Sequence, residues 1–202
     1  MQERVVYWNG KFIPETEARV SIYDCAMMFG DAVFEMTRSF NGQQFKLVEH
    51  LERLQVGLRI LEYPEIPSVS QLEDACHQTI EANQGTMQDG DEHRLMITAT
   101  RGLLGIYQGE VDLPVGPNII VADYPLRWTV AGMGELFDSG VNGVVPSQRA
   151  IPATYLDPKI KNRSRLHYMM ANIQVSKMAG EKNWALLLDE NGYLTENTGA
   201  NL

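Results

Sequence analysis

Residues 156–202 read LDPKIKNRSRLHYMMANIQVSKMAGEKNWALLLDENGYLTENTGANL, and the reading of this stretch decides the fold. Lys159, Lys161, Arg163 and Arg165 crowd the start of an amphipathic helix predicted over 164–178. The helix macrodipole is already positive there, so each added cation costs on the order of 0.3–1 kcal/mol. An anion, or the loss of one of these charges, relieves the crowding. Further on, Trp184–Asp189 reads as an apolar strand, a Gly turn follows, and Glu196 stands just past the hairpin. The spacing predicts that a primary amine from Lys161 and a carboxylate from Glu196 face one pocket. A Lys/Arg cluster on its own is most often a solvated turn, so the assignment rests on what surrounds it.

Working outward, the 202 residues are 44% hydrophobic and 21% charged, a composition that excludes disorder and suffices for one sizeable core or two small ones. A formal net charge of −9 argues against nucleic acid and anionic membrane as partners, since both need a broad basic surface. Cys25 and Cys76, with no CxxC pair, give no disulfide framework, and no N-terminal apolar run reads as a signal peptide or membrane span. A cytoplasmic enzyme acting on a small molecule fits, and neither cysteine has a His/Asp constellation beside it in sequence.

The chain opens with Val5–Trp8 and Lys11–Ile13 around Asn9-Gly10, a hairpin with a type I′ turn. A second hairpin follows, Val33–Phe40 returning through Asn41-Gly42 to Gln43–Leu47. Leu47, Leu51, Leu54, Leu58 and Leu61 then recur at helical spacing until Pro64, and Ser70-Gln71-Leu72-Glu73 predicts a capping box for a helix ending near Gly85. Arg94–Thr100, Asn118–Ala122 and Val141–Val145 read as strands, and Ala185–Leu188, apolar at consecutive positions, as a strand covered on both faces. Tyr124-Pro125 and the glycines at 132 and 134 mark a linker.

Three segments carry a family resemblance. Glu196-Asn197-Thr198-Gly199-Ala200-Asn201-Leu202 resembles the Glu-x-small-x-x-Asn-apolar signature of class IV, fold-type IV, pyridoxal-phosphate aminotransferases, and Ile160-Lys161 ahead of its helix keeps that family's order. Phe29-Gly30-Asp31-Ala32-Val33-Phe34-Glu35 resembles the family's aromatic-Gly-Asp-x-Val-Phe-Glu segment. Glu49-His50-Leu51-Glu52-Arg53-Leu54 resembles its Glu-His-Leu-x-Arg-Leu helix start. Singly each is weak, since Phe34 reads as core and Arg53 as a solvated charge, but together and in order they are specific.

The resemblance implies a two-domain α/β (α+β) fold. An N-terminal α/β domain would span 1–124, a linker 125–134, and 135–202 would begin a larger C-terminal cofactor-binding domain that continues past Leu202. It implies pyridoxal 5′-phosphate as cofactor, a homodimer, and transamination between an amino acid and a 2-oxo acid; no metal is called for. Residue by residue, Lys161, preferred to Lys159, would bond the cofactor and shuttle the substrate proton. Glu196 would face the pyridine nitrogen, Arg53 would hold the phosphate, Thr198 and Gly199 would line the ring, and Asn201 would brace the turn. Phe34, Glu35, Met36 and Arg38 fall where the family lines its side-chain and carboxylate pockets, and the apolar pair Phe34 and Met36 favours a branched-chain or other apolar amino acid. Thr100-Arg101-Gly102 also resembles D-amino-acid aminotransferases and aminodeoxychorismate lyases. Against these stand the absence of an Arg-x-His trap in Gly102–Gly109 and Met36 where the lyases carry threonine. A catalytically silent binding or dimerisation module remains the alternative of another class, disfavoured by the joint presence of Lys161, Glu196 and Arg53.

Overall fold

A computed structural model describes residues 3–200. The chain divides into two compact units, one running to Val130 and including Lys159–Ser164, the other comprising Ala131–Pro158 and the chain from Arg165 onward.

In the first unit, β1 (Val5–Trp8) and β2 (Lys11–Pro14) form the expected hairpin, with Asn9 and Gly10 both at positive φ (48° and 86°), as a type I′ turn requires. Helix α1 (Cys25–Phe29) is capped by the Asp24 carboxylate, which accepts from Ala26 N at 2.7 Å. Strand β3 (Ala32–Phe40) turns at Asn41-Gly42 into β4, which is only Gln43–Gln44. The return is shorter than the sequence predicts because Lys46 adopts a left-handed conformation and Leu47 already begins α2 (Leu47–Ile60). Helix α3 (Val69–Asn83) starts earlier than expected. Its capping box is Ser68 with Gln71, the Gln71 side chain returning 2.8 Å to Ser68 N, so the predicted Ser70/Glu73 box lies inside the first turn of the helix. Strands β5 (His93–Thr100) and β6 (Asn118–Pro125) and the single turn α4 (Arg127–Val130) complete the unit. β6 thus continues through Tyr124-Pro125, where the sequence reads as linker, with Pro125 opposite His93 at the strand end.

These strands form one antiparallel sheet in the order β2-β1-β6-β5-β3-β4. Helix α2 packs on β3 and helix α3 on β6 and β1, covering one face of the sheet. Strand alternation sends odd-numbered β3 and β5 residues into that layer, where Val33, Leu95 and Ile97 join Leu51, Leu54, Leu58 and Leu72, all essentially inaccessible. Each such side chain contributes roughly 1.5–3 kcal/mol by leaving water. Even-numbered residues point to the other face: Phe34 opposite Thr98, Met36 opposite Met96, Arg38 opposite Arg94. Gly57 is where α2 comes close to β3, since a Cβ there would lie 2.9 Å from Val33 Cγ1 and 3.8 Å from Ile160 Cα.

The second unit contains α5 (Leu136–Ser139), β7 (Asn142–Val144), α6 (Leu166–Val175), β8 (Asn183–Leu188) and β9 (Leu194–Asn197). β8 is central, parallel to β7 and antiparallel to β9. Helix α6 closes a small core of Tyr168, Ala171, Val175, Ala185 and Leu187. The apolar run of β8 is not buried uniformly: Ala185 and Leu187 are fully buried, while Leu186 and Leu188 on the other side are half-buried. Alternation, rather than two-sided cover, governs this strand within its unit.

Candidate functional site

Residues 160–163 do not belong to a helix start but run extended along β3. Phe34 N donates to Lys161 O at 2.9 Å, Arg163 N donates to Ala32 O at 2.9 Å, and Asn162 bridges Val33 in antiparallel register. That register places Lys161 and Arg163 on the Phe34 face of the sheet. Lys161 Nζ lies 5.1 Å from the Phe34 ring centroid and Arg163 Cζ 3.7 Å, and Phe34 itself is only 4% exposed. Buried Ile160 anchors the segment from the helix side, whereas Lys159 is exposed. The cations read from the sequence therefore do not crowd a helix start, since helix α6 begins only at Leu166; Lys161 and Arg163 instead share the Phe34 ring. Ser164 closes the segment against the Phe29 and Gly30 carbonyls at 3.4 and 3.3 Å, an approach possible because Gly30 has no side chain and sits at φ 70°.

Met36 and Arg38 extend the same face. Arg38 Cζ stacks 4.0 Å over Phe40 and its Nε donates to Ser39 O, directing its head along the strand. Arg94, which the sequence reading did not single out, reaches to within 4.0 Å of Met36 Sδ from the neighbouring strand.

Arg53 faces the opposite side of β3, through Glu35. Its Nε and Nη2 donate to Glu35 Oε1 and Oε2 at 2.5 and 2.7 Å, and His50 Nδ1 lies 2.8 Å from Oε2. Glu35 is fully buried, which alone would raise its pKa, yet the bonds from His50 and Arg53 outweigh burial and hold it below the ordinary glutamate value. Arg53 remains 52% exposed. The sequence reading set Glu35 among the residues lining the substrate pocket, whereas its carboxylate is buried against Arg53 and His50. His50 had no assigned role, although it stands three residues from Arg53 on one helix face and Glu35 alternates in step with core positions. Because Gly57 and Arg53 track Val33 and Glu35, and Lys161 pairs beside Phe34, α2 and the Lys161 segment converge on the same three residues of β3.

In the second unit Glu196 lies on β9 itself rather than past the hairpin. The Tyr168 hydroxyl of α6 donates to Glu196 Oε1, and burial, followed by this bond, pushes the Tyr168 phenol well above its usual pKa. Neighbouring His167, its ring 4.1 Å from that of Tyr168, is pushed down by burial and by Arg165. Thr198 is fixed from both ends: its carbonyl accepts from Arg165 Nη2 at 2.8 Å and its hydroxyl donates to Asn172 Oδ1 at 3.1 Å. Gly199 N donates to Asn197 Oδ1, and buried Asn197 donates to Ala185 O. Asn201 lies outside the described residues. Among the described residues no group of His, Cys, Asp or Glu is placed to hold a metal ion, and no helix is long and apolar enough to cross a membrane.

Comparison with known proteins extends this pattern. The family model for amino-transferase class IV matches residues 32–202. A Methanocaldococcus jannaschii protein provisionally named a branched-chain-amino-acid aminotransferase is 31% identical over 198 residues, 98% of this chain and 64% of that protein. The crystal structure of the branched-chain aminotransferase of Thermoproteus uzoniensis with norvaline superposes with a TM-score of 0.78 at 22% identity, over 98% of this chain and 64% of that one. That of the T.th. branched-chain amino acid aminotransferase with pyridoxamine 5′-phosphate gives 0.77 at 22% identity, over 98% and 63%. The fold is thus shared with these structures, and the chain spans somewhat under two thirds of the length of such relatives. With the family model covering residues 32–202 and a relative above 30% identity matching nearly the whole chain, the protein belongs to the class IV aminotransferases.

Proposed function

We propose that this protein is a pyridoxal-5′-phosphate-dependent aminotransferase exchanging the amine of an apolar, branched-chain amino acid with a 2-oxo acid. The observation that carries the reading is the convergence on Val33–Glu35 of a half-buried lysine from one side and a half-exposed arginine from the other. Membership in the class IV family and the names of its relatives support it.

The residues present fit the cofactor. Lys161 supplies a primary amine beside an aromatic wall, Arg53 keeps an exposed edge of its guanidinium for a phosphate, and Glu196 supplies a carboxylate steadied by Tyr168. When bound, the cofactor supplies a carbonyl carbon that takes up the amine and a ring that accepts electrons from the substrate Cα. Lys161 would hold the cofactor, and its amine would serve as the base that moves a proton at the substrate Cα. Glu196 keeps a proton on the ring nitrogen, Arg53 binds the phosphate, and Thr198 and Gly199, with Asn201, shape the loop after β9. Phe34 and Met36 take the apolar side chain while Arg38 serves a carboxylate. Assignment to Lys161 over Lys159 is supported by the anchored backbone of the former and the exposure of the latter.

The protein acts as a homodimer in the cytoplasm on this reading. Exposed Ile22, Met27 and Phe29 around α1 offer an apolar surface to a second copy, and Cys25 and Cys76 are buried free thiols that suit a reducing compartment. The test is spectroscopic: protein loaded with pyridoxal 5′-phosphate should change its visible absorbance when leucine, isoleucine or valine is added and recover it with a 2-oxo acid. No change with any of the three contradicts the substrate class.

A further inference from the structure

The buried carboxylate of Glu35 lies under α2, away from the Lys161 face, with the Arg53 guanidinium and the His50 ring as its polar partners. It engages the side edge of the guanidinium, Nε and Nη2, in the paired geometry that fixes both position and plane. The end edge, formed by Nη1 and the second N–H of Nη2, belongs to a side chain that is half exposed. His50 steadies Glu35 through Oε2, and its Nδ1 also stands 3.5 Å from Arg53 Nη2.

We propose that Glu35 is a positioning residue for anion capture: it clamps the side edge of Arg53 so that the end edge is presented, already oriented, to a phosphate monoester. The proposal rests on the cofactor reading above and deepens it. Two effects compete. Glu35 adds negative charge beside Arg53, which weakens the attraction for an anion. It also removes the rotamer freedom of a long side chain that would otherwise have to be ordered when the anion binds. For the clamp to aid capture, the orienting effect must outweigh the repulsion between Glu35 and the anion. A lysine at this position could not hold both partners in fixed orientation, because its ammonium lacks the rigid planar fork of the guanidinium.

The experiment compares pyridoxal 5′-phosphate with phosphate-free pyridoxal by absorbance titration. Glu35→Gln keeps the shape but turns an amide nitrogen toward one of the two Arg53 donors. Affinity for the phosphorylated aldehyde should fall about tenfold or more while affinity for pyridoxal changes by no more than about twofold, a selectivity loss of about 1.4 kcal/mol. The Glu35→Gln, Arg53→Met double variant should bind no more weakly than Arg53→Met alone, because Glu35 acts through Arg53. Arg53→Lys, which leaves the buried carboxylate in place, should lose phosphate selectivity as fully as Arg53→Met. Unchanged or tighter binding of the phosphorylated aldehyde by Glu35→Gln, equal losses for both aldehydes, or full retention by Arg53→Lys would each overturn the proposal. A wild-type protein that takes up neither aldehyde contradicts the cofactor reading, and this proposal with it.

Discussion

Lys161 is placed by its backbone, through the bond from Phe34 N and the burial of Ile160, whereas Lys159 two residues earlier stands exposed. Lys161→Ala should therefore lower transamination by several powers of ten, each worth about 1.4 kcal/mol of barrier, while Lys159→Ala stays within about threefold of wild type; steady-state rates at saturating substrate decide. A second residue-scale consequence concerns His93, which is 5% exposed with Nδ1 2.9 Å from Asp123 Oδ2. The bond to Asp123, followed by burial acting the other way, leaves His93 above its usual pKa, while burial pushes Asp123 up and His93 offsets this only in part. A raised folded pKa means that the stabilisation by protonated His93 is complete below the unfolded value of about 6.5 and is lost as pH rises through the folded one. The melting temperature should decline as pH rises above about 6.5, and His93→Gln should flatten that decline; a slope unchanged in the variant assigns it elsewhere. Lys161, Arg53 and Glu196 were legible as candidates because each sits in a short motif. The parts played by Glu35, His50 and Tyr168 were not, because they depend on which neighbours these residues meet across the fold.

At the scale of elements, the hairpins, the leucine-spaced helix and the long strands follow from turn chemistry and periodicity, and they occupy the expected stretches. Boundaries are where local signals compete. Two Ser-x-x-Glu/Gln frames overlap at residues 68–73, and the earlier wins because Gln71 reaches Ser68 N. The extended course of 160–163 had no periodic signal at all, since it is specified by pairing with β3, more than a hundred residues earlier. The join between α2 and that pairing is Gly57. Gly57→Val would put a branched side chain against Val33 Cγ1, 2.9 Å from the new Cβ, where both helix and strand are fully packed. The expected cost is about 1–3 kcal/mol of stability, read as a lower denaturation midpoint, together with weaker cofactor uptake because Arg53 rides on the same helix. Gly57→Ala should cost less, since the gain in helix propensity of up to about 1 kcal/mol offsets part of the crowding.

For the whole molecule, an acidic chain with a net charge of −9 concentrates basic groups in the short span Lys159–Arg165 and distributes them between a strand edge on the first unit and the helix start on the second. The fold class and the order of motifs could be read from the sequence because they are local and sequential. How residues 159–164 would associate could not, because the first unit claims them by backbone pairing across the chain. The central claim, that Lys161 is the amine that holds pyridoxal 5′-phosphate, is tested most directly by incubating the protein with the cofactor, reducing with borohydride and mapping the modified peptide. The account predicts a single pyridoxyl group on Lys161, retained in Lys159→Ala and missing in Lys161→Ala; a label on Lys159, or none on either lysine, would contradict it.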